Sequence, residues 1–567
     1  MDYRLSSLTI IFLLLQIFSL LVSQAESVND DYNLLHNCLS TTTTDSQTII
    51  STILHAPFIN NASYTQTLRS LIRNQRFNSS ATPKPTIIIA PTTQSQVSAA
   101  VTCSKALGKQ LKIRSGGHDF DGLSYVSDQP FFMLDLFNFK SIDIDLETET
   151  AWVESGAMLG EVYYRIWEKS DVHGFPAGIC PTVGVGGHFS GGGYGNLLRK
   201  YGLSVDHIID AKIVDVRGRV LDRKSMGEDL FWAIRGGGGG SFGVILAYKI
   251  KLVRVPKVVT VFRVEKRRDL EENVTEVVHK WLRVADKLDN DLFIRVLLQP
   301  VSSRVVKGAR TIRASFIAEY LGTAETLVSI MDRDFPELGL TEMNCTEMSW
   351  IESVSYWATY EFNTPTKMLL DRNLGGTANF LKRKSDYIET PISISGLESL
   401  WKKMMEIGKT GLALNPYGGA MNDIAPSDTP MPHRAGNICK IQYFVNWSNT
   451  SNEEETQNIE GIRELYDFMT KFVSKNPRGS YQNYRDVDIG INHHGKDSYK
   501  EGLVYGRKYY MGNFDRLVKV KTTVDPDNSF RNEQSIPTLA QNSLPSAFSE
   551  EPLIVYSSLN FIDLLDV

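Results

Sequence analysis

Glu228-Asp-Leu-Phe-Trp-Ala-Ile-Arg235-Gly-Gly-Gly-Gly-Gly-Ser-Phe-Gly243-Val-Ile-Leu-Ala-Tyr-Lys-Ile-Lys-Leu252 is the stretch that decides the fold class. Inside it Gly238-x-Gly240-x-x-Gly243 has the spacing of a dinucleotide fingerprint. That fingerprint follows a strand and opens a helix, so that a helix N-terminus meets the diphosphate. Here the order is reversed: a helical pattern, Glu228 to Ile234, precedes the glycines and an apolar strand, Val244 to Leu252, follows them. A Rossmann site is therefore excluded. Two more glycine clusters lie upstream, Arg114-Ser-Gly-Gly-His118 and Pro181-Thr-Val-Gly-Val-Gly-Gly-His-Phe-Ser-Gly-Gly-Gly-Tyr-Gly195. Glycine lets backbone N–H groups approach an anion, and one such loop alone reads as a flexible turn. Three in one unit point to a nucleotide held in a non-Rossmann fold. No complete Gly-x-x-x-x-Gly-Lys-Ser/Thr loop is present, which argues against phosphoryl transfer.

The 567 residues carry 60 Lys+Arg against 65 Asp+Glu, a net charge of −5, with 42% hydrophobic residues. That length and composition support several globular units with a large core and exclude a disordered chain. Without a long basic run there is no face for nucleic acid. Arg4, the apolar stretch Leu8 to Val22 and Ser23-Gln24-Ala25 read as a cleaved signal peptide, residues 1–25, rather than a membrane anchor, because the stretch is shorter than a span needs. Asn61, Asn78, Asn273, Asn344, Asn446 and Asn449 open N-glycosylation sequons. A secreted glycoprotein of the cell wall, apoplast or vacuole is the expectation, with no membrane contact after cleavage. Of five cysteines, Cys38, Cys103, Cys180, Cys345 and Cys439, at least one must stay unpaired. The odd one is Cys180, in the Gly/Pro-rich loop Phe175-Pro-Ala-Gly-Ile-Cys-Pro; the alternative is a bridge from Cys180 to Cys345 or Cys439. The adjacent pair His493-His494 has no Cys or Asp at ligand spacing, so no metal is expected.

Periodicity places short strands and helices from Lys84 to Val255. After Pro256, strands Val259 to Glu265, Leu292 to Leu298, Thr311 to Tyr320 and Ile438 to Asn446 alternate with amphipathic helices at Leu270 to Leu288, Thr323 to Phe335 and Glu453 to Ser474. This reads as a second α+β domain with a helix-covered antiparallel sheet. Residues 476–537 show no core of their own and are expected to pack back on the first domain; residues 538–567 stay unassigned.

Arg114-Ser-Gly-Gly-His118, Gly178-Ile-Cys-Pro-Thr-Val-Gly184, Gly187-His-Phe-Ser-Gly-Gly-Gly-Tyr-Gly195 and Tyr484-Arg-Asp with Asp525-Pro-x-Asn-x-Phe-Arg-Asn-Glu-Gln-Ser-Ile-Pro537 resemble the plant berberine-bridge-enzyme-like family of FAD-linked oxidases over Cys38 to Pro537. The resemblance implies a two-domain α+β flavoprotein of the PCMH/vanillyl-alcohol-oxidase type. Residues 26–256 would form a non-Rossmann FAD-binding domain, 257–475 an antiparallel-sheet substrate domain and 476–537 the family's closing segment. It implies a Cys38–Cys103 disulfide and FAD bonded covalently to both His118 and Cys180. The remaining cofactor contacts would be Arg114, Ser115, Gly116, Gly117, Val183, Gly184, Gly186, Gly187, Ser190, Gly193 and Gly195. Both bonds withdraw electron density from the flavin ring and raise its potential, which favours hydride removal from an alcohol. Without the resemblance, His118 reads equally as a turn cap.

On the strand Ile438 to Asn446 a two-residue period puts Cys439, Ile441, Tyr443 and Val445 on one face and Lys440, Gln442 and Phe444 on the other. Taken alone, the second face reads as solvated surface, and Tyr194 and Tyr484 as ordinary aromatic packing. The monolignol-oxidising members resemble this chain at Tyr194, Lys440, Gln442 and Tyr484. From that we expect Tyr194 to act as base, a Lys440 ammonium to lower its pKa, and Tyr484 and Gln442 to orient the substrate. Val183, three residues after Cys180, resembles the oxygen-reactive members and implies peroxide release. Phe120, where many members carry Tyr, departs from the pattern. The expected substrate is a phenolic allylic alcohol or a cell-wall sugar, with O2 as acceptor. Ring closure of alkaloid or cannabinoid precursors and a secreted glycoprotein without turnover are the alternatives.

Overall fold

The computed structural model describes residues 7–373, 379–448 and 451–539. The sequon at Asn449, residues 1–6 and the tail beyond 539 lie outside them. Helix α1 (Ser7–Thr42) runs through Ser23-Gln24-Ala25 and is tied by the Cys38–Cys103 disulfide to α2 (Gln94–Ala106). Among the described residues no helix is long and apolar enough to cross a membrane.

Two sheets build the N-terminal half. In the first, β1 (Ile87–Ile89), β2 (Gln110–Arg114) and β3 (Phe131–Asp135) pair in parallel in the order β1-β3-β2, with the short strand Leu54–His55 antiparallel at the edge. All three β1 positions and all five of β3 are buried, as a sheet covered on both sides requires. The second sheet is antiparallel: β4 (Ile142–Asp145), β5 (Thr150–Glu154), β7 (Val244–Lys251), β6 (Ile208–Val214) and the short strand Val220–Leu221, in that spatial order. Helices α3 (Leu159–Lys169), α4 (Val185–Ser190) and α5 (Arg223–Ile234) belong to this half. The glycine run joins the end of α5 to β7, helix to strand, which is the reverse of a Rossmann turn.

The second half is a seven-stranded antiparallel sheet of β8 (Val259–Arg267), β9 (Leu292–Ser302), β10 (Arg310–Tyr320), β11 (Cys345–Met348), β12 (Phe380–Ile388), β13 (Gly411–Pro416) and β14 (Cys439–Trp447). Its order is β11-β8-β10-β9-β13-β14-β12. Helices α6 (Val274–Val284), α7 (Ala324–Asp334), α9 (Ile394–Ile407) and α10 (Asn452–Phe468) bury Val278, Trp281, Leu327, Trp401 and Ile462 against one face. α6 begins four residues later than periodicity suggests, because Glu271 and Asn273 both take left-handed backbone. Strand alternation divides the sheet as expected: Ile441, Tyr443 and Val445 join the helix-covered core, while Phe293 and Ile317 join the core shared with the first half. Helix α8 (Trp350–Thr359) also packs into that shared core, as do the terminal helices α11 (Ser498–Tyr510) and α12 (Phe514–Val524).

The sheet order also decides the remaining cysteines. Cys345 on β11 and Cys439 on β14 lie five strand spacings apart, roughly 24 Å at about 4.8 Å each, far beyond disulfide reach. Both are free thiols, as is Cys180.

Candidate active site

Between the two halves lies a cavity of about 530 Å³ with His118 and Cys180 on its wall. Two loops put them there, one leaving β2 and one leading into α4. Their backbones touch: a Cβ on Gly116 would fall 2.3 Å from Gly184 N, and one on Gly184 would fall 2.2 Å from Gly116 N. No other residue fits either position. Ser115 Oγ donates to Ser155 O (2.5 Å), and His118 Nε2 lies 2.9 Å from Thr182 Oγ1, two residues past Cys180. Burial, reinforced by Arg73 and His188, pushes His118 down to about 3, so the ring is neutral at working pH.

The walls fit a flavin dinucleotide. Gly187 and Gly240 line the cavity, and a Cβ on either would stand in open space with no atom within 4 Å. Arg73 Nη1 is buried on the same wall without a hydrogen-bond partner. An anionic, ring-bearing ligand would use both features. Ser115, Gly116, Gly117, Val183, Gly184, Gly186, Ser190 and Gly195, all expected cofactor contacts, line the cavity.

Two predicted cofactor contacts do not. Arg114 ends β2 opposite Asp135, is completely buried, and spends its guanidinium on Asp135 Oδ2 (2.6 Å), Leu68 O (2.8 Å) and Thr67 O (2.6 Å). It is a pillar under the His118 loop. Gly193 does not line it either: its φ is 74°, a Cβ there would fall 2.3 Å from Ser204 Oγ, and its N–H donates to Tyr481 Oη at 2.9 Å.

Opposite the loops, Tyr194 and Tyr484 share a hydroxyl–hydroxyl hydrogen bond, with Gln442 and Phe444 of β14 on the same wall. Phe120 packs its ring 5.5 Å from that of Tyr484. Lys440 lies beneath this layer rather than on it. It is fully buried, with Nζ 3.0 Å from the Tyr194 ring centroid, 3.7 Å from that of Tyr481 and 4.8 Å from that of Tyr484. It meets ring faces, not the Tyr194 hydroxyl, and has no hydrogen-bond acceptor. Burial, with Arg295 adding repulsion, lowers the amine well below its ordinary range, and its contact is with the ring faces rather than the Tyr194 hydroxyl that it was expected to meet.

A cation that no motif marked, Arg295, lines the same cavity as Tyr194. Its Nε donates to Asn415 Oδ1 (2.7 Å) and its Nη1 to Tyr360 Oη (3.1 Å). Burial raises Tyr194 above the normal phenol range, and Arg295 together with the Tyr484 hydrogen bond works against that rise. Arg295 was readable as a lone charge within Leu292-Phe-Ile-Arg-Val-Leu-Leu298, on the same strand face as Phe293. Arg73 and Arg383 complete a guanidinium-rich wall near Cys180. No pattern in the sequence marked them.

Known proteins agree with this architecture. The family model described as FAD binding domain matches residues 85–223, and the one described as berberine and berberine like matches residues 480–537. Berberine bridge enzyme-like 19 of Arabidopsis thaliana is 57% identical over 535 residues, covering 94% of this chain and 92% of that protein. Berberine bridge enzyme-like 21 of the same plant is 60% identical over 481 residues, 84% of this chain and 88% of that protein. Among solved structures, berberine bridge enzyme from Eschscholzia californica superposes with a TM-score of 0.83 at 39% identity over 89% of this chain and 99% of its own. The grass pollen allergen Phl p 4, described as having glucose dehydrogenase activity, gives 0.83 at 40% identity over 89% and 99%.

Proposed function

The chain belongs to the berberine-bridge-enzyme-like family of FAD-dependent oxidoreductases, and from that premise we propose that it is a secreted oxidase that converts an alcohol carbon to a carbonyl and reduces O2 to H2O2. The observation that carries the reading is the meeting of His118, Cys180 and the Tyr194–Tyr484 hydroxyl pair on the walls of one cavity. In this reading FAD, bonded to both His118 and Cys180, supplies the two-electron relay between alcohol and dioxygen. The carbinol C–H leaves as hydride and the hydroxyl proton passes to Tyr194; two electrons and two protons end in H2O2.

The chain's own residues divide the remaining work. Arg295 offsets part of the cost of a buried Tyr194 phenolate. Tyr484 and Gln442 orient the substrate hydroxyl, and Lys440 fixes the angle of three tyrosine rings from below. The guanidinium groups of Arg73, Arg295 and Arg383 favour an oxygen-rich cell-wall oligosaccharide over a monolignol-type allylic alcohol. Phl p 4 supports a sugar: its wild type is described as a glucose dehydrogenase, and an isoleucine-to-valine variant as a glucose oxidase. The valine at the expected oxygen gate of this chain, Val183, lines the cavity and favours the oxidase outcome. Asn61, Asn273, Asn344 and Asn446 are exposed, as N-glycosylation in the secretory pathway needs.

The test uses protein secreted from a eukaryotic host. After acid denaturation the yellow colour should stay with the polypeptide, and peroxide should appear with reducing oligosaccharides in preference to monolignols. A colourless polypeptide would refute the covalent reading; a yellow protein inert toward both panels would refute the alcohol-oxidase reading.

A further inference from the structure

Glu319 has no part in the chemistry above, yet it is 4% exposed and forms no ion pair among the described residues. It stands on β10, in register with Phe293 on one side and Val261 on the other, on the sheet face turned toward the first half. There it borders a second, small cavity of about 20 Å³ walled by Ala177, Gly178, Ile179, Asn196 and Trp357. Three of these immediately precede Cys180, Asn196 follows Tyr194 by two residues, and Trp357 also lines the main cavity.

The two loops are locked together at this point. A Cβ on Gly195 would fall 1.7 Å from Ala177 O. Gly178 is held from both sides: its N–H donates to His188 Nε2 (3.0 Å), and its carbonyl accepts from Tyr163 Oη (2.8 Å). Glu319 reaches the second loop directly, its Oε2 accepting from Asn196 Nδ2 at 2.9 Å. Asn196 Oδ1 and Trp357 Nε1 are buried nearby without partners.

We propose that Glu319 is a positioning residue that clamps the Cys180 loop and the Tyr194 loop to the sheet, and that the clamp holds while Glu319 is a neutral acid and loosens when it ionises. The proposal rests on the roles given to Cys180 and Tyr194 above. A carboxylate at this place would be a buried charge with no counter-ion among the described residues, which burial disfavours. The groups facing it are uncharged: Tyr163 from α3, Asn196 from the Tyr194 loop, and Ser353 and Trp357 from α8. Burial raises Glu319 to about 7, against the opposing hydrogen bond from Asn196 and the nearby polar groups of Ser353 and Trp357, so the change falls inside the working pH range.

The experiment follows tryptophan emission and steady-state kinetics of the holoenzyme from pH 5 to 9. In the wild type, both the emission and kcat should step with a midpoint near 7, kcat dropping about tenfold while KM changes little, because displaced loops misplace groups that act in the transition state. Glu319→Gln, neutral at every pH, should flatten both steps, and Glu319→Asp should retain one. An emission step and a kcat fall that persist unchanged in Glu319→Gln would overturn the proposal. If the Gln variant fails to fold, Asn196→Ala decides: removing the donor weakens the closed, neutral state and must move the emission midpoint downward, and an unmoved midpoint overturns the clamp. The emission step needs no turnover, so an inert protein that keeps it refutes the alcohol-oxidase reading while upholding the clamp.

Discussion

His188 offers a quantitative test of how the Cys180 loop is held. Its Nε2 accepts the Gly178 N–H, which requires an unprotonated ring. Burial, aided by repulsion from Lys440, lowers it to about 3, against 6.5 for an exposed imidazole. A base with a depressed folded-state pKa contributes stability that is fully present above its unfolded value and is lost as pH falls toward the folded one. Each pH unit in that window costs about 1.4 kcal/mol, so falling from 6.5 to 4.5 costs the native state about 2.7 kcal/mol through this group alone. His188→Gln keeps an acceptor for Gly178 and does not titrate. At pH 7.5 the variant should be less stable than the wild type by about 1 kcal/mol, the worth of an imperfect hydrogen bond. By pH 4.5 the difference should have moved about 2.7 kcal/mol in the variant's favour, reversing the order. Urea unfolding at half-unit pH steps measures this, and carboxylates and the other histidines cancel between the two proteins. Parallel curves for the two proteins would refute the assignment of a buried, neutral His188.

Two further substitutions address the chemistry. Arg295→Met should shift the rising limb of kcat to higher pH, because Tyr194 loses the cation that opposes its burial, whereas Lys440→Met should leave that limb in place; a shift confined to Lys440→Met would return the charge role to the lysine. Val183→Leu narrows the cavity at the expected oxygen gate, so peroxide release should fall about tenfold or more while anaerobic flavin reduction keeps its rate, and stopped-flow reoxidation in air-saturated buffer reads the difference.

What the sequence revealed depended on whether a signal was local. The order helix, glycines, strand around Gly238 is a property of adjacent residues, and it alone excludes a Rossmann site. Two-residue alternation on β14 likewise separated Tyr443 from Gln442 correctly, because strand geometry admits only two faces. Depth within a face was not readable: Lys440 shares the face of Gln442, yet it lies under a layer of tyrosines drawn from residues 194, 481 and 484. Arg114 was misassigned for a related reason. Its neighbours Ser115 and Gly116 reach the cavity, but the last residue of a buried strand points its side chain into the sheet's own packing, toward Asp135. Arg73, Arg383 and Glu319 are brought to the site only by contacts between segments more than a hundred residues apart.

The cavity wall includes Tyr484 and Arg485, and closer to the C-terminus Arg531 and Asn532, which line the same cavity as Gly116 and Gly187. Lys112 on β2 meets Glu533 at 2.7 Å, and Lys521 reaches Ser241 O at 2.7 Å from α12. A chain made from its N-terminus can fold its first sheets early, but the chamber has no closing wall until residue 532 has left the ribosome. Completion of the pocket therefore waits on the C-terminal described segment: a product lacking residues 480–539 would keep His118 and Cys180 but lose Tyr484, Arg485, Arg531 and Asn532 from the wall they share.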